Sequence, residues 1–242
     1  MKKTVLTMIC VSLAMTISAQ NAKGQFSIKP MAGMNLSYYG SPTYDVYKNK
    51  FGMIGGAEVE YGVSSILGIS AGMLYSQQGA KVEGSLSLFG EDENGEKVYS
   101  ETVMKGKLKT SYLNVPIMVN VYIPAVKGLS FRACLQMGFL VNDKMTMLMG
   151  NYTARGFLEG DVTEVMFAES IPQDTPSFIQ YTQPNICHSF DFGIPVGISY
   201  ELFNISLNVG YYMGLTKIDK TEDPDNARNR CLSVTLGYRF KL

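Results

Sequence analysis

The chain has no tryptophan, one histidine (His188) and no excess of either charge, with 21 Lys plus Arg against 21 Asp plus Glu in 242 residues. Charge balance removes the basic footprint of a nucleic-acid binder, so no nucleic-acid partner is expected. Cysteine is scarce: beyond Cys10, only Cys134, Cys187 and Cys231 occur, an odd number at unpatterned spacing. That is neither a disulfide framework nor a zinc-site signature. Cys187 and Cys231 each open an expected strand, so a bridge between strand tops is open to them, but none is expected. After the N-terminal segment no run approaches the roughly 18 apolar residues of a transmembrane helix.

The first segment reads as a targeting signal. Lys2 and Lys3 precede an apolar run from Val5 to Met15, interrupted only by Thr7 and Ser12, and Ile17-Ser18-Ala19 supplies the small residue before a cut ahead of Gln20. The run is too short to span a bilayer and fits a secretory signal peptide, residues 1–19. Ala22-Lys23-Gly24 offers a second cut, after Gly24. Cys10 lies inside the apolar run rather than at its end, which argues against a lipid-anchored cysteine. Residues 20–242 are left as a single domain.

The dominant signal is alternation with period two. From Leu129 to Phe139 the odd positions are apolar, and the even ones are polar or small apart from Cys134. Leu113, Val115, Ile117, Val119 and Val121 repeat the pattern against Asn114, Pro116, Met118 and Asn120. Phe190 to Leu202, Ile205 to Leu215 and Leu232 to Leu242 alternate in the same way, and Phe26–Tyr38, Met53–Val63 and Ile66–Gln78 do so more loosely. Alternate residues of a strand face opposite sides, whereas a helix needs apolar spacings of three and four. About eight strands are expected. Pro30, Pro116 and Pro195 fall inside them and mark expected bulges, since proline donates no ladder hydrogen bond.

The connections alternate too. Residues 62–65, 123–127 and 203–204 are tight, whereas 39–50, 79–107, 142–186 and 217–230 are long. Short turns on one side and long loops on the other are the pattern of an eight-stranded antiparallel up-and-down transmembrane β-barrel, with both termini in the periplasm. Glu93-Asn94-Gly95-Glu96 is a hairpin turn signal flanked by Ser85–Phe89 and Lys97–Val103, so the third and fourth strands should extend above the membrane. Asp161-Val162-Thr163-Glu164 resembles a helix start.

Period two leaves open which face is outside. A soluble, lipocalin-like barrel binding a lipid would turn the apolar face inward. Three features favour the membrane. The apolar face carries many large side chains, a volume easier to place outside than in the narrow lumen of an eight-stranded barrel. The other face is rich in glycine, including Gly33, Gly56, Gly68, Gly72, Gly193, Gly197 and Gly210, which makes room inside a narrow barrel. That same face carries Lys29, Arg132, Arg239 and Lys241 together with Glu58, Glu60, Asp191 and Glu201, four charges of each sign that can pair across a lumen. Without tryptophan, an interfacial belt would rest on Tyr and Phe.

Lys29-Pro30-Met31-Ala32-Gly33-Met34-Asn35, Tyr112-Leu113-Asn114-Val115-Pro116-Ile117 and Gly128 to Leu140 resemble the PorT-like family of outer-membrane β-barrel proteins. The end, Gly237-Tyr238-Arg239-Phe240-Lys241-Leu242, resembles the C-terminal signal read by the barrel-assembly machinery, with Tyr238, Phe240 and Leu242 on one face. The resemblance implies fold, outer-membrane location, contact with outer-membrane lipid and lipopolysaccharide, and the assembly machinery as a partner during biogenesis. Roles for the outer loops in surface recognition, structure or secretion and assembly all fit it.

Candidate chemistry is thin. A lipid A-modifying barrel would need a nucleophile and base on one face, but His188 and Ser189 are adjacent, and Asp191 shares a face with Ser189 rather than His188. Cys187-His188 places two metal donors on opposite faces. Glu91-Asp92-Glu93 and Glu96 could hold a cation or bridge to lipopolysaccharide, although an acidic hairpin tip is more often simply solvated. Met145-Thr146-Met147-Leu148-Met149 continues the alternation of the fifth strand, with an adaptable partner surface as the sharper alternative. The reading is a non-enzymatic protein with no cofactor, possessing outer loops able to contact an envelope or surface protein.

Overall fold

A computed structural model describes residues 23–40, 47–91, 97–155, 178–218, 220 and 227–242. The signal segment, the Glu93–Glu96 turn and the helix start at Asp161 lie outside these residues. The strands are β1 (Phe26–Gly40), β2 (Tyr47–Lys48), β3 (Lys50–Gly62), β4 (Leu67–Glu91), β5 (Lys97–Tyr122), β6 (Leu129–Arg155), β7 (Phe178–Pro184), β8 (Phe190–Leu202), β9 (Ile205–Gly214), β10 (Arg228–Tyr238) and β11 (Phe240–Lys241). Among the described residues eight of these, β1, β3, β4, β5, β6, β8, β9 and β10, form a ring of antiparallel neighbours. The ring closes where β10 returns to β1, from Met31 opposite Gly237 to Gly40 opposite Arg228. Closure leaves the spanning part with no open edge.

The alternation sets the faces. Inward positions hold Lys29, Glu58, Asn114, Asn120 and Arg132, all buried, whereas Phe51, Met53, Phe131, Ile198, Leu207 and Leu236 are exposed, the last at 60%. Large apolar side chains turned outward on every strand of the ring would be ruinous in water and are what a bilayer requires. The soluble, lipocalin-like alternative is thereby overturned, because the apolar face is the outer one. Phe139 packs edge-on against Phe190, and Tyr238 lies beside Phe240, so aromatic rings are shared between neighbouring outward positions.

At one end the turns are short. Residues 63–66 and 123–128 join neighbours tightly, and Gly128 closes the second turn with φ of 87°. Phe203 and Asn204 form a two-residue turn with φ of 51° and 65°, the primed geometry that matches hairpin twist. At the other end β4, β5 and β6 run on for 25, 26 and 27 residues. Roughly 9–11 residues suffice for a tilted strand to span a bilayer. The expected extension of the third and fourth strands is therefore present, and the fifth joins it. The segment 79–107, marked by sequence as a connection, is mostly ladder. The Met145–Met149 run lies within β6, in register with Met104 to Leu108 of β5 and Ile179 to Gln183 of β7.

The three prolines do not produce bulges. The β4–β5 ladder omits the pairs between Ala71–Ile117 and Leu74–Asn114, leaving a gap at Pro116 without changing register. The β6–β8 ladder omits those between Ala133–Val196 and Gln136–Gly193, at Pro195, again in register. The closing seam has a similar gap at Pro30, between its β10 and β11 portions. Each proline keeps its partner on the other side: Pro116 pairs Gln136, Pro195 pairs Tyr212 and Pro30 pairs Ala57. Losing one donor costs one ladder locally, and a closed barrel retains the other. The recorded register shift falls elsewhere, between Ser111 and Tyr112.

Candidate functional site

The lumen is filled in layers. Nearest the short turns, Arg239 bonds Glu201 through Nε at 2.7 Å and lies 3.2 Å from Glu60. Its Nη1 donates to Ser27 Oγ at 2.9 Å and its Nη2 to the Tyr122 hydroxyl at 3.1 Å. Tyr122 in turn donates to Glu60. One guanidinium fork therefore ties together β1, β3, β5 and β8.

One step higher, Glu58 lies between Arg132 and Lys29, the latter at 3.5 Å. Arg132 Nε donates to Asn120 Oδ1 at 2.9 Å, and Asn120 donates to Ser70 Oγ at 3.1 Å. Asn208, beside Arg132 at 3.4 Å, reaches Thr235 Oγ1 at 3.2 Å. The structure thus brings together Lys29, Glu58, Glu60, Arg132, Glu201 and Arg239. Buried charges stand only when each finds such partners. Lys241 lies at the seam opposite Ser27.

Asp191 belongs to a third layer and makes no ion pair among the described residues. Its carboxylate accepts from Tyr212 at 3.0 Å, Thr216 at 2.6 Å and Asn229 at 2.7 Å. Between these layers lies a cavity of about 90 Å³, bordered by Met31, Leu74, Ser76, Asn114, Met118 and Gln136. Glycine makes the filling possible. A Cβ on Gly68 would come within 2.6 Å of Glu60 Oε1, and one on Gly193 within 2.7 Å of the Tyr212 ring.

The outer mouth has its own cover. Tyr39, Ala80, Leu108, Cys187, Ile218 and Ala227 form an apolar cluster, with Leu140, Met145 and Ile186 packed against it. Asp143 points inward and accepts the backbone N–H groups of Asn185 at 2.9 Å and Cys187 at 2.8 Å. The His188 N–H donates to the Ile218 carbonyl at 2.7 Å, tying the two covering segments together. Sequence periodicity missed this cover, since residues 185–188 and 217–218 carry no alternation. It also missed Asn120, Asn208 and Tyr122 as partners, although all three fall on the inward-facing parity of their own strands.

His188 and Ser189 are both exposed and lie in irregular backbone just before β8, so strand parity does not govern them. Asp191, turned into the lumen, is committed to Tyr212, Thr216 and Asn229. Cys187 is buried under the cover while His188 is exposed, which separates that donor pair. Among the described residues no disulfide joins Cys134, Cys187 and Cys231. At the C-terminus Tyr238, Phe240 and Leu242 all face outward.

No curated protein matches the chain. Among solved structures it is similar to Ail, the attachment invasion locus protein of Yersinia pestis, at 12% identity over 90% of this chain and 99% of that one, with a TM-score of 0.42. It is also similar to Neisserial surface protein A (13% identity, 89% and 97% covered, TM-score 0.33) and to the N-terminal beta-barrel domain of Pseudomonas aeruginosa OprF (10% identity, 91% and 100% covered, TM-score 0.30). Likenesses this distant carry no functional argument. The family model for the outer membrane protein beta-barrel domain, by contrast, matches residues 18–220. With that match over most of its length and an apolar belt around a closed ring of strands, the chain belongs to the outer membrane protein beta-barrel domain family and is an integral protein of a Gram-negative outer membrane.

Proposed function

We propose that this protein is a closed scaffold that works without catalysis and presents a recognition surface outside the cell. The observation that carries the reading is the overshoot of β4, β5 and β6, joined at their outer parts by β2 and β7, beyond what a bilayer crossing needs. A sheet built that far from the membrane serves contact rather than anchorage. The layered lumen and its apolar cover support a barrel shut to solutes. Catalysis at His188 is disfavoured because the nearby carboxylate of Asp191 is engaged inside.

In this reading the outward belt meets outer-membrane lipid and lipopolysaccharide, and Tyr238, Phe240 and Leu242 present the assembly signal to the barrel-assembly machinery. The projecting sheet meets an envelope or surface protein. Within its family the chain is of PorT-like kind, on the strength of the residues 29–35, 112–117 and 128–140. The test is site-specific photo-crosslinking on intact cells, with the reactive group at Ser87, Tyr99 or Thr153 and a lipid-facing control at Leu236. The expected result is a discrete protein adduct from the sheet positions and none from the control. Absence of any adduct from all three sheet positions, in a barrel shown to be folded and surface-exposed, would overturn the reading.

A further inference from the structure

The outward face of β2, β4, β5 and β6 changes character abruptly. Along β5 it runs Val121, Val119, Ile117, Val115 and Leu113, then Ser111, Lys109, Lys107 and Lys105. Along β4 it runs from Leu67 to Tyr75, then through Gln77 to Lys81, and along β6 from Phe131 to Val141, then through Asn142 to Lys144. The apolar stretch of β5 has the length a tilted strand needs to cross the hydrocarbon, so the lysines begin where the outer leaflet's polar layer begins.

These lysines are neighbours by register. Lys48 is opposite Lys81, Lys81 opposite Lys107, and Lys109 opposite Lys144. All five side chains are exposed. Like charges directly across a ladder destabilise it, so three such pairs in one patch need a reason. Among the described side chains on this face Glu83 is the one carboxylate, and it is opposite Lys105, which belongs to the same patch. Asp143 gives no relief, because it is turned inward onto Asn185 and Cys187.

We propose that this patch is a lipopolysaccharide-binding surface, with Lys81, Lys107, Lys109 and Lys144 holding phosphate groups of the lipid in whose leaflet the barrel sits. A multivalent phosphate set between facing ammonium groups turns each repulsive pair into two charge-assisted contacts. The patch is continuous with the apolar belt, so one molecule can lay its acyl chains on Val115 and Ile117 while its phosphates meet Lys107 and Lys109. Lipopolysaccharide is the outer-leaflet lipid with that combination. The inference rests on the membrane placement alone and is independent of what the projecting sheet recognises.

The test uses the refolded barrel in phosphatidylcholine vesicles doped with phosphorylated or enzymatically dephosphorylated lipopolysaccharide. Two readouts are followed: the temperature at which the compact gel band is lost, and amine acylation of each lysine by mass spectrometry. Phosphorylated lipid should raise the midpoint and slow acylation of Lys81, Lys107, Lys109 and Lys144 several-fold, leaving Lys23 and Lys127 at the opposite end unchanged. The dephosphorylated form should do neither. The variant Lys81→Gln, Lys107→Gln, Lys109→Gln, Lys144→Gln should keep a heat-modifiable band yet lose the shift. Equal responses to the two lipids, equal protection of Lys127, or a retained shift in the variant would overturn the proposal. If that variant fails to fold, the wild-type acylation pattern decides alone.

Discussion

Replacing Arg239 with methionine isolates the electrostatics of the lumen. The guanidinium is 3% exposed and is bound to Glu201, Glu60, Ser27 and Tyr122. Methionine keeps the length and apolar stem but leaves the two buried carboxylates of that layer, Glu60 and Glu201, without their cation. Glu60 retains the Tyr122 hydroxyl, whereas the Glu201 oxygen that accepted from Arg239 is left with no replacement donor of comparable strength. Removing one member of a buried pair costs about 3–5 kcal/mol, most of it the uncompensated charge. If so, adding Glu201→Gln to Arg239→Met should recover at least about 1.5 kcal/mol, since a neutral amide no longer needs a cation. The chain has no tryptophan, so unfolding is best followed in urea through loss of the compact, unboiled gel band. A loss under about 1 kcal/mol, the range of solvated surface pairs, would refute the argument. A full loss with no recovery on adding Glu201→Gln would show that packing of the stem, not charge, is what matters.

Further outcomes follow from the same geometry. Val234→Arg, on the outward face of β10, should cost about 2–4 kcal/mol in vesicles near the bilayer midplane, and a soluble barrel would not notice it; urea titration in lipid measures this. Gly193→Ala, whose Cβ would press on the Tyr212 ring, should cost about 1–3 kcal/mol, while Gly55→Ala, with nothing nearer than 3.5 Å, should change stability by less than about 0.5 kcal/mol in the same titration. Phe240→Ala should slow membrane insertion in vivo, seen as accumulation of unfolded chain by gel mobility, with little change in the stability of protein refolded in vitro; unchanged assembly would remove Phe240 from the signal.

The fold was legible because a lipid-facing strand must be apolar at every second residue. Phe190 to Leu202 and Ile205 to Gly214 therefore spell out β8 and β9, and the odd parity of Asp191 and Glu201, opposite to that of Phe190 and Leu202, places both inside. What parity cannot supply is stagger. Asp191 looked like one pole of an ion pair, yet barrel shear sets it level with Tyr212, Thr216 and Asn229, well above Arg239. The prolines misled in a related way: a bulge is the usual way for an open sheet to accommodate one, but each strand here has ladders on both sides and can drop one in place. The mouth was illegible for another reason. Asp143 meets Asn185 and Cys187 across a gap of some forty residues, through backbone groups that have no residue-type signature.

The seam where the first and last strands meet is thinnest at Pro30. Above the gap ten residue pairs join β1 to β10; below it two pairs join β1 to β11. At that level the Arg239 side chain reaches across to Ser27 on β1. Its backbone N–H has meanwhile been taken by the Asn204 carbonyl of the neighbouring turn. A side chain thus fastens the joint where main-chain bonding lapses. The ionic cluster works as a latch on a hoop: it holds the two ends of the chain together at the place where a cylinder made from one strip would first come unrolled.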